Sequence, residues 1–185
     1  ILFYQGGVQA VITLAAIYAE QAMKFTTQQT ILLILVVNVT ASIGALAFGQ
    51  LQDRLGHVRT LALTLVGWCV MVLLAGFADG PAMFWVAANI AGICLGASQS
   101  AGRALVGYMS PPDRLAEFFG LWTFATRLAA IIGPVTYGLV TWMTGGNHRL
   151  AIVSTAVFFV IGLLLLIPMN VQRGVAAAQA RSGGH

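Results

Sequence analysis

Charge is the scarcest ingredient of this 185-residue chain: nine Lys and Arg and five Asp and Glu make up 8% of it, against 59% apolar residues. A soluble globular domain is about 45 to 50% apolar, so this composition, with a mean hydropathy of +0.89, excludes one and points to an integral membrane protein whose first partner is the lipid bilayer. Cysteine is scarce too. Cys69 and Cys94 both fall inside apolar runs, where a free thiol packs as a small hydrophobe and no oxidising compartment can be read from it. Cys-x-x-Cys, His-x-x-x-His and phosphate-binding Gly-Lys-Ser/Thr patterns are missing, so neither an enzyme nor a metal or cofactor site is expected. The net charge of +4 does not imply nucleic acid, because the cations are scattered between apolar segments as the cytoplasmic positive bias of a membrane protein would place them.

What is present is a series of apolar runs, each near the roughly 20 residues that carry a helix across about 30 Å of hydrocarbon. Six spans are predicted: the start to about Gln21, then 29–51, 58–78, 82–108, 113–143 and 149–169. Asp79, Gly80 and Pro81 form a turn that leads into the fourth span, with Pro suited to a first helical turn that needs no N–H. Asp113, after Pro111 and Pro112, is expected to cap the fifth. Residues 170–185 read as a small-residue, weakly basic tail with no reason to order. The start without Met inside an apolar pattern is expected for a piece of a longer protein. Arg54, Arg59, Arg103, Arg114, Arg173 and Arg181 fall on one side and Lys24 and Arg149 on the other. The positive-inside rule therefore puts the 53–59 loop and the C-terminus in the cytoplasm of a multi-pass protein of the cell (inner or plasma) membrane.

The loop from Gly49 to Arg59 gathers Asp53, Arg54, His57 and Arg59 between two apolar runs. A second pattern concerns the whole chain. Gly44, Gly49 and Arg59 align with Gly133, Gly138 and Arg149, so spans one to three and four to six read as two copies of a three-helix unit. An odd number of spans per copy inverts their orientation, which is the arrangement of a secondary transporter. A chance alignment of glycines in an apolar sequence is the alternative.

The Gly49-x-x-x-Asp53-Arg54-x-Gly56 loop resembles the signature loop of the major facilitator superfamily, and six spans as three plus three match one half of that twelve-helix fold. Gly96, Gln99 and Arg103, then Glu117, Phe118 and Gly120, then Gly133, Pro134, Tyr137 and Gly138 are similar to the C-terminal half of its vacuole-effluxer-like branch. The resemblance implies an all-α membrane fold and transport of a small solute, amino acids in the characterised fungal members. It also implies an N-terminal six-helix half of the same protein, or a second copy, as partner. Two departures from the branch stand out: the stretch with Tyr4, Gln5 and Gln9 lies where the first helix usually has an acidic residue, and His57 where the loop usually has Arg or Lys.

Arg127 lies about 20 Å from the predicted start of its helix, near mid-membrane, where a cation is costly unless it faces a cavity or a partner. It is a candidate for binding a substrate carboxylate; a structural ion pair or an Arg reaching back to the interface is the alternative. Gln5 and Gln9, spaced i, i+4 with Tyr4 beside them, and Trp122 are the other candidate solute-binding residues. Asn38, Asn89, Gln99 and Thr123 are further polar groups, each equally open to an interhelical hydrogen bond. The small residues Ala88, Gly92, Gly96, Ser100 and Ala104 make a packing stripe. In the superfamily an Arg at the position of Arg103 pairs with the loop Asp. The resemblance therefore implies a gating cluster of Asp53, Arg103 and Glu117, with Arg54 alongside and Gly49, Gly56 and Gly133 as conformational glycines, the alternative being a static surface pair. A non-transporting assembly or scaffold subunit that kept the fold is the competing reading of the chain.

Overall fold

The computed structural model describes residues 1–167, so the tail from 170 and the predicted end of the sixth span lie outside the described residues. Among the described residues seven α-helices follow in order: α1 Leu2–Gln21, α2 Thr27–Leu55, α3 His57–Gly76, α4 Pro81–Met109, α5 Leu115–Met143, α6 His148–Ser154 and α7 Ala156–Leu166. They make six spans, α6 and α7 together forming the last. The expected single sixth helix is broken at Thr155, whose N–H and hydroxyl both bond to the Ile152 carbonyl, at 3.0 and 2.6 Å. This i to i+3 turn is tighter than the helix it interrupts.

Helix ends follow local chemistry. Thr26 opens α2 with a reciprocal cap: its hydroxyl accepts the Gln29 N–H at 3.4 Å while Gln29 Oε1 accepts the Thr26 N–H at 2.9 Å. Pro81 occupies the first turn of α4 as predicted. The Asp113 cap is corrected: Pro112–Arg114 form a 3₁₀ turn, and α5 starts at Leu115 with Arg114 at the cap position and no side-chain cap bond. The two prolines tighten the entry, with Arg114 N–H on the Pro111 carbonyl at 3.0 Å.

The polar loop is shorter than the sequence implies. Helix α2 runs on to Leu55 and α3 starts at His57, so Gly56 alone makes the turn, at φ +83° and ψ 160°. Gly49 belongs to the interior of α2, where an added Cβ would come no nearer than 4.0 Å to Ser100 Oγ on α4. Of the two glycines, Gly56 is therefore the conformational one. Nothing lies within 4 Å of a Cβ placed on it, so its constraint is backbone angle and not space. Gly56→Ala is expected to cost about 1 to 2 kcal/mol, read as a lower melting temperature in detergent micelles, whereas Gly49→Ala should leave the melting temperature unchanged or raise it.

Two helix pairs carry the closest packing, α2 on α4 and α1 on α5. A methyl group on Gly44 of α2 would overlap the Ile93 carbonyl of α4, and one on Gly96 of α4 would overlap the Ala41 carbonyl of α2. Correspondingly, a methyl on Gly133 of α5 would overlap the Gly6 carbonyl of α1. Gly44 and Gly133 are the residues aligned in the two sequence repeats, and each sits where the second helix of its repeat meets the first helix of the other. The pairing is what a twofold relation between two three-helix units requires. Between these pairs, Trp68 of α3 stacks on Phe159 of α7 at 5.2 Å and 5°. At the α3–α4 end, Tyr18 hydroxyl donates to the Ala75 carbonyl in the last turn of α3 at 2.7 Å and Arg149 Nη2 to the Ala78 carbonyl in the turn that follows at 2.8 Å.

Candidate functional site

Polar side chains inside an apolar bundle must either satisfy themselves or wait for a partner. Most here satisfy themselves on their own helix. Asn38 Nδ2 donates to the Ile34 carbonyl at 2.8 Å, Asn89 Nδ2 to Trp85 at 2.8 Å and Thr123 hydroxyl to Phe119 at 2.8 Å. None of these three bonds crosses to another helix. Asn38 also borders an apolar cavity of about 160 Å³ among α1, α2, α3 and α4.

One group behaves differently. Gln5 is fully buried, and its Oε1 accepts a bond from Gln99 Nε2 at 3.4 Å, leaving its own Nε2 without a partner. Tyr4, 1% exposed, has an unpartnered hydroxyl beside Trp122 and Gln5, and Trp122, 9% exposed, has an unpartnered Nε1. Arg103 lies with its Cζ 5.3 Å from the Trp122 ring centre, within cation–π range. Gln99, Gly102 and Arg103 are spaced i, i+3, i+4 on one face of α4. Gly102 makes the room: a Cβ there would stand 2.5 Å from the Tyr4 hydroxyl and 3.9 Å from Trp122 Nε1. Below this cluster, Tyr4 and Trp122 border a cavity of about 360 Å³ whose walls include Leu105, Phe118, Leu121 and Leu165. A buried donor left unmet costs about 1 to 3 kcal/mol, so three together on α1 and α5 call for an explanation. The remaining buried unpartnered atom among the described residues is Thr60 Oγ1 on α3.

The candidate residues thus divide. Gln5 and Trp122 come together, Gln9 is half-buried on α1, and Arg127 is exposed on the outer face of α5 without an ion-pair partner among the described residues. Its distance from the start of α5, about 18 Å at 1.5 Å per residue, keeps it at mid-span. The charge cluster is not assembled in this conformation. Glu117 makes a bidentate pair with Arg114, at 2.8 Å from Nε and 2.8 Å from Nη2, while Arg103 stacks on Trp122 and Asp53 and Arg54 are exposed. The reason is local: Arg114 and Glu117 are i, i+3 across the first turn of α5, a shorter route than reaching α2 or α4. At the loop the wiring runs instead through Gln52, whose Nε2 donates to His57 Nδ1 and, at 3.4 Å, to the Ala101 carbonyl of α4. The His57 ring also packs on Tyr108, 4.7 Å between centres. Sequence reasoning missed Gln52 and Tyr108 as bridging residues and gave Tyr4 and Gln99 no joint role, because each meets its partner on a helix distant in the chain.

An all-helical bundle of six spans in two related three-helix units, with a polar cluster between α1, α4 and α5, is the architecture of a multi-pass membrane protein. The chain belongs to the family described as "Vacuole effluxer Atg22 like", whose model it matches over residues 1–179. Among curated relatives it is similar to "Uncharacterized MFS-type transporter YxiO" of Bacillus subtilis, 25% identical, covering 96% of this chain and 41% of that protein. It is also similar to "Autophagy-related protein 22" of Candida glabrata, 26% identical over 92% of this chain and 34% of that one, and to "Probable actinorhodin transporter" of Streptomyces coelicolor, 29% identical over 65% and 22%. The chain spans about two-fifths of the first of these relatives and a third of the second. The family is named for an effluxer and two of these relatives are named as transporters, none of them as an enzyme.

Proposed function

We propose that the chain is the C-terminal half of a secondary active or facilitative transporter that moves a small solute by alternating access. Residues 1–169 form the six-helix half, residues 170–185 a cytoplasmic tail, and the protein lies in the cell membrane with the Gly56 turn facing the cytoplasm. The observation that carries this is the set of unmet polar groups of Tyr4, Gln5 and Trp122 inside an apolar bundle, because intramembrane polar groups without partners mark solute paths. The second helices of the two repeats, α2 and α5, leave apolar faces exposed, with Leu35, Val39 and Leu46 on one and Phe124, Ile131 and Val135 on the other. An N-terminal half supplied by the rest of the longer protein would cover both. On this reading Arg127 faces that second half across the pathway, Gln9 extends the Gln5 face, and Asp53, Arg103 and Glu117 pair in the opposite conformation, when Arg103 leaves Trp122.

The test is solute flux in liposomes holding the full-length protein, with a panel of small carboxylates, amines and neutral amphipathic solutes. Saturable flux of at least one class is expected, and Arg127→Ala should lower it by about tenfold or more, the scale of about 1.4 kcal/mol in transition-state binding. Absence of flux for every class from a folded protein would favour the scaffold reading, and unchanged flux in Arg127→Ala would remove that residue from the pathway.

A further inference from the structure

We infer that the cavity among α1, α2, α3 and α4 is a binding site for an uncharged aromatic hydrocarbon of benzene's size, separate from the polar cluster. It needs nothing from the transporter reading, since none of Tyr4, Gln5, Gln99, Arg103 and Trp122 borders it. The cavity measures about 160 Å³, and an apolar cavity of about 150 Å³ stays dry and takes benzene or xenon. Small side chains make the room: Ala75 on α3 and Ala87, Ala88 and Ala91 on α4 border it, all four buried. Water finds little there to hold it. The Tyr18 hydroxyl on the wall already donates to the Ala75 carbonyl at 2.7 Å, Asn38 Nδ2 to the Ile34 carbonyl at 2.8 Å and Trp68 Nε1 to Ser98 Oγ at 3.4 Å. A buried water needs two to four polar partners, and an ionic ligand needs a counter-charge. No charged residue borders the cavity among the described residues.

The cavity has a closed floor and an open mouth. Trp68 and Met71 of α3 and Phe84 of α4 are buried at its wall, whereas Ile12 of α1 and Ile34 of α2 are 43% and 48% exposed. The mouth therefore lies between α1 and α2, which pack less closely on each other than α2 does on α4. The wall is held in place before any ligand arrives: Trp68 stacks on Phe159, and Phe84 sits 5.5 Å from both the Tyr18 and Phe25 ring centres. A flat apolar ring entering this space gains burial together with aromatic contacts to Trp68 and Phe84 and a sulfur contact to Met71. The bilayer concentrates such a molecule beside the protein, because it partitions out of water.

The experiment is methyl NMR of the full-length protein in lipid nanodiscs, with carbon-13 at the methionine methyls, during titration with benzene and with pyridine. Met71 is the one methionine among the described residues that borders the cavity, and Met143, 70% exposed, reports the ring dissolved in lipid. Met71→Leu and Met143→Leu assign the two signals. Benzene should move the Met71 signal along a saturable curve, while the Met143 signal drifts in proportion to the benzene added. Pyridine should bind at least tenfold more weakly, because its nitrogen loses a hydrogen bond to water and finds no free donor on the wall. Ala91→Leu, which fills the cavity from α4, should weaken benzene at least tenfold and leave the melting temperature unchanged or raised. A Met71 signal that only drifts alongside that of Met143 overturns the inference, as does equal binding of pyridine or unaltered benzene binding in Ala91→Leu. If Ala91→Leu does not fold, Ala87→Leu repeats the filling, and the benzene-to-pyridine comparison on the unaltered protein decides by itself. None of these readouts involves flux, so binding here and transport stand or fall separately.

Discussion

Replacing Gly133 by alanine is expected to lower the stability of the bundle by about 2 kcal/mol or more, while the same change at Gly138, five residues on in the same helix, leaves it unchanged or raises it. Both positions are helical, and alanine is intrinsically the better helix former by about 1 kcal/mol, so propensity alone predicts a gain at each. The difference is what the new methyl meets. At Gly138 nothing lies within 4 Å, whereas at Gly133 it would overlap the Gly6 carbonyl and stand 2.9 Å from Ala10 N. Both of those are backbone atoms of α1, so no rotamer change relieves the overlap and α1 and α5 must separate. The repeat makes a matching prediction for Gly44→Ala, whose methyl would meet the Ile93 carbonyl of α4. Thermal unfolding in micelles, with the three variants side by side, reads the result. Equal melting temperatures for Gly133→Ala and Gly138→Ala would mean that the helices do not approach as closely as described.

Gly102→Ala is expected to act the other way round, sparing the fold and damaging the site. Its methyl would stand 2.5 Å from the Tyr4 hydroxyl, the far end of a side chain that can turn aside, so α1 and α4 keep their spacing. The loss of stability should stay below about 1 to 2 kcal/mol, the lower part of the overpacking range. The hydroxyl, however, is displaced from Trp122 Nε1 and Gln5, and a donor moved by about 1 Å can cost on the order of a hundredfold in a positioned step. Flux through the full-length protein should therefore fall by at least tenfold with the melting temperature nearly unchanged. A fall in both together would assign Gly102 to packing, and a fall in neither would show that the Tyr4 hydroxyl takes no part.

The helices were legible because the signal for them is local. Apolar length, Pro81 at a helix start and the Gly145–Gly146 turn with its positive φ angles depend only on neighbours in the chain. The Gly44 and Gly133 correspondence was legible as a repeat, and the structure adds the reason for the glycines, contact with the opposite repeat's first helix. What escaped was decided by competition or by distance. Asp113 was a sound cap residue, yet the two prolines before it drew it into a 3₁₀ turn. Thr155 broke the last span through a hydroxyl bond that apolar periodicity does not register. In this conformation Glu117 takes the shorter route to Arg114, a local i, i+3 competition that the resemblance to a gating cluster does not register. Gln5 and Trp122 were recognised as polar groups in apolar surroundings, but their meeting with Tyr4 and Gln99 depends on how α1, α4 and α5 pack. For Arg127, depth along the helix does not say which face it occupies, and the structure leaves it exposed on α5.

The central claim is that the first helices of the two repeats, α1 and α4, together with Trp122 of α5, carry the solute site of a transporter. Solute exchange across liposomes containing the full-length protein tests it most directly, with a panel of small carboxylates, amines and neutral amphipathic solutes and with Trp122→Phe measured beside the unaltered protein at matched incorporation. The account predicts saturable exchange that falls at least tenfold in Trp122→Phe. Saturable exchange at the same rate in both proteins, or none in either, would contradict it.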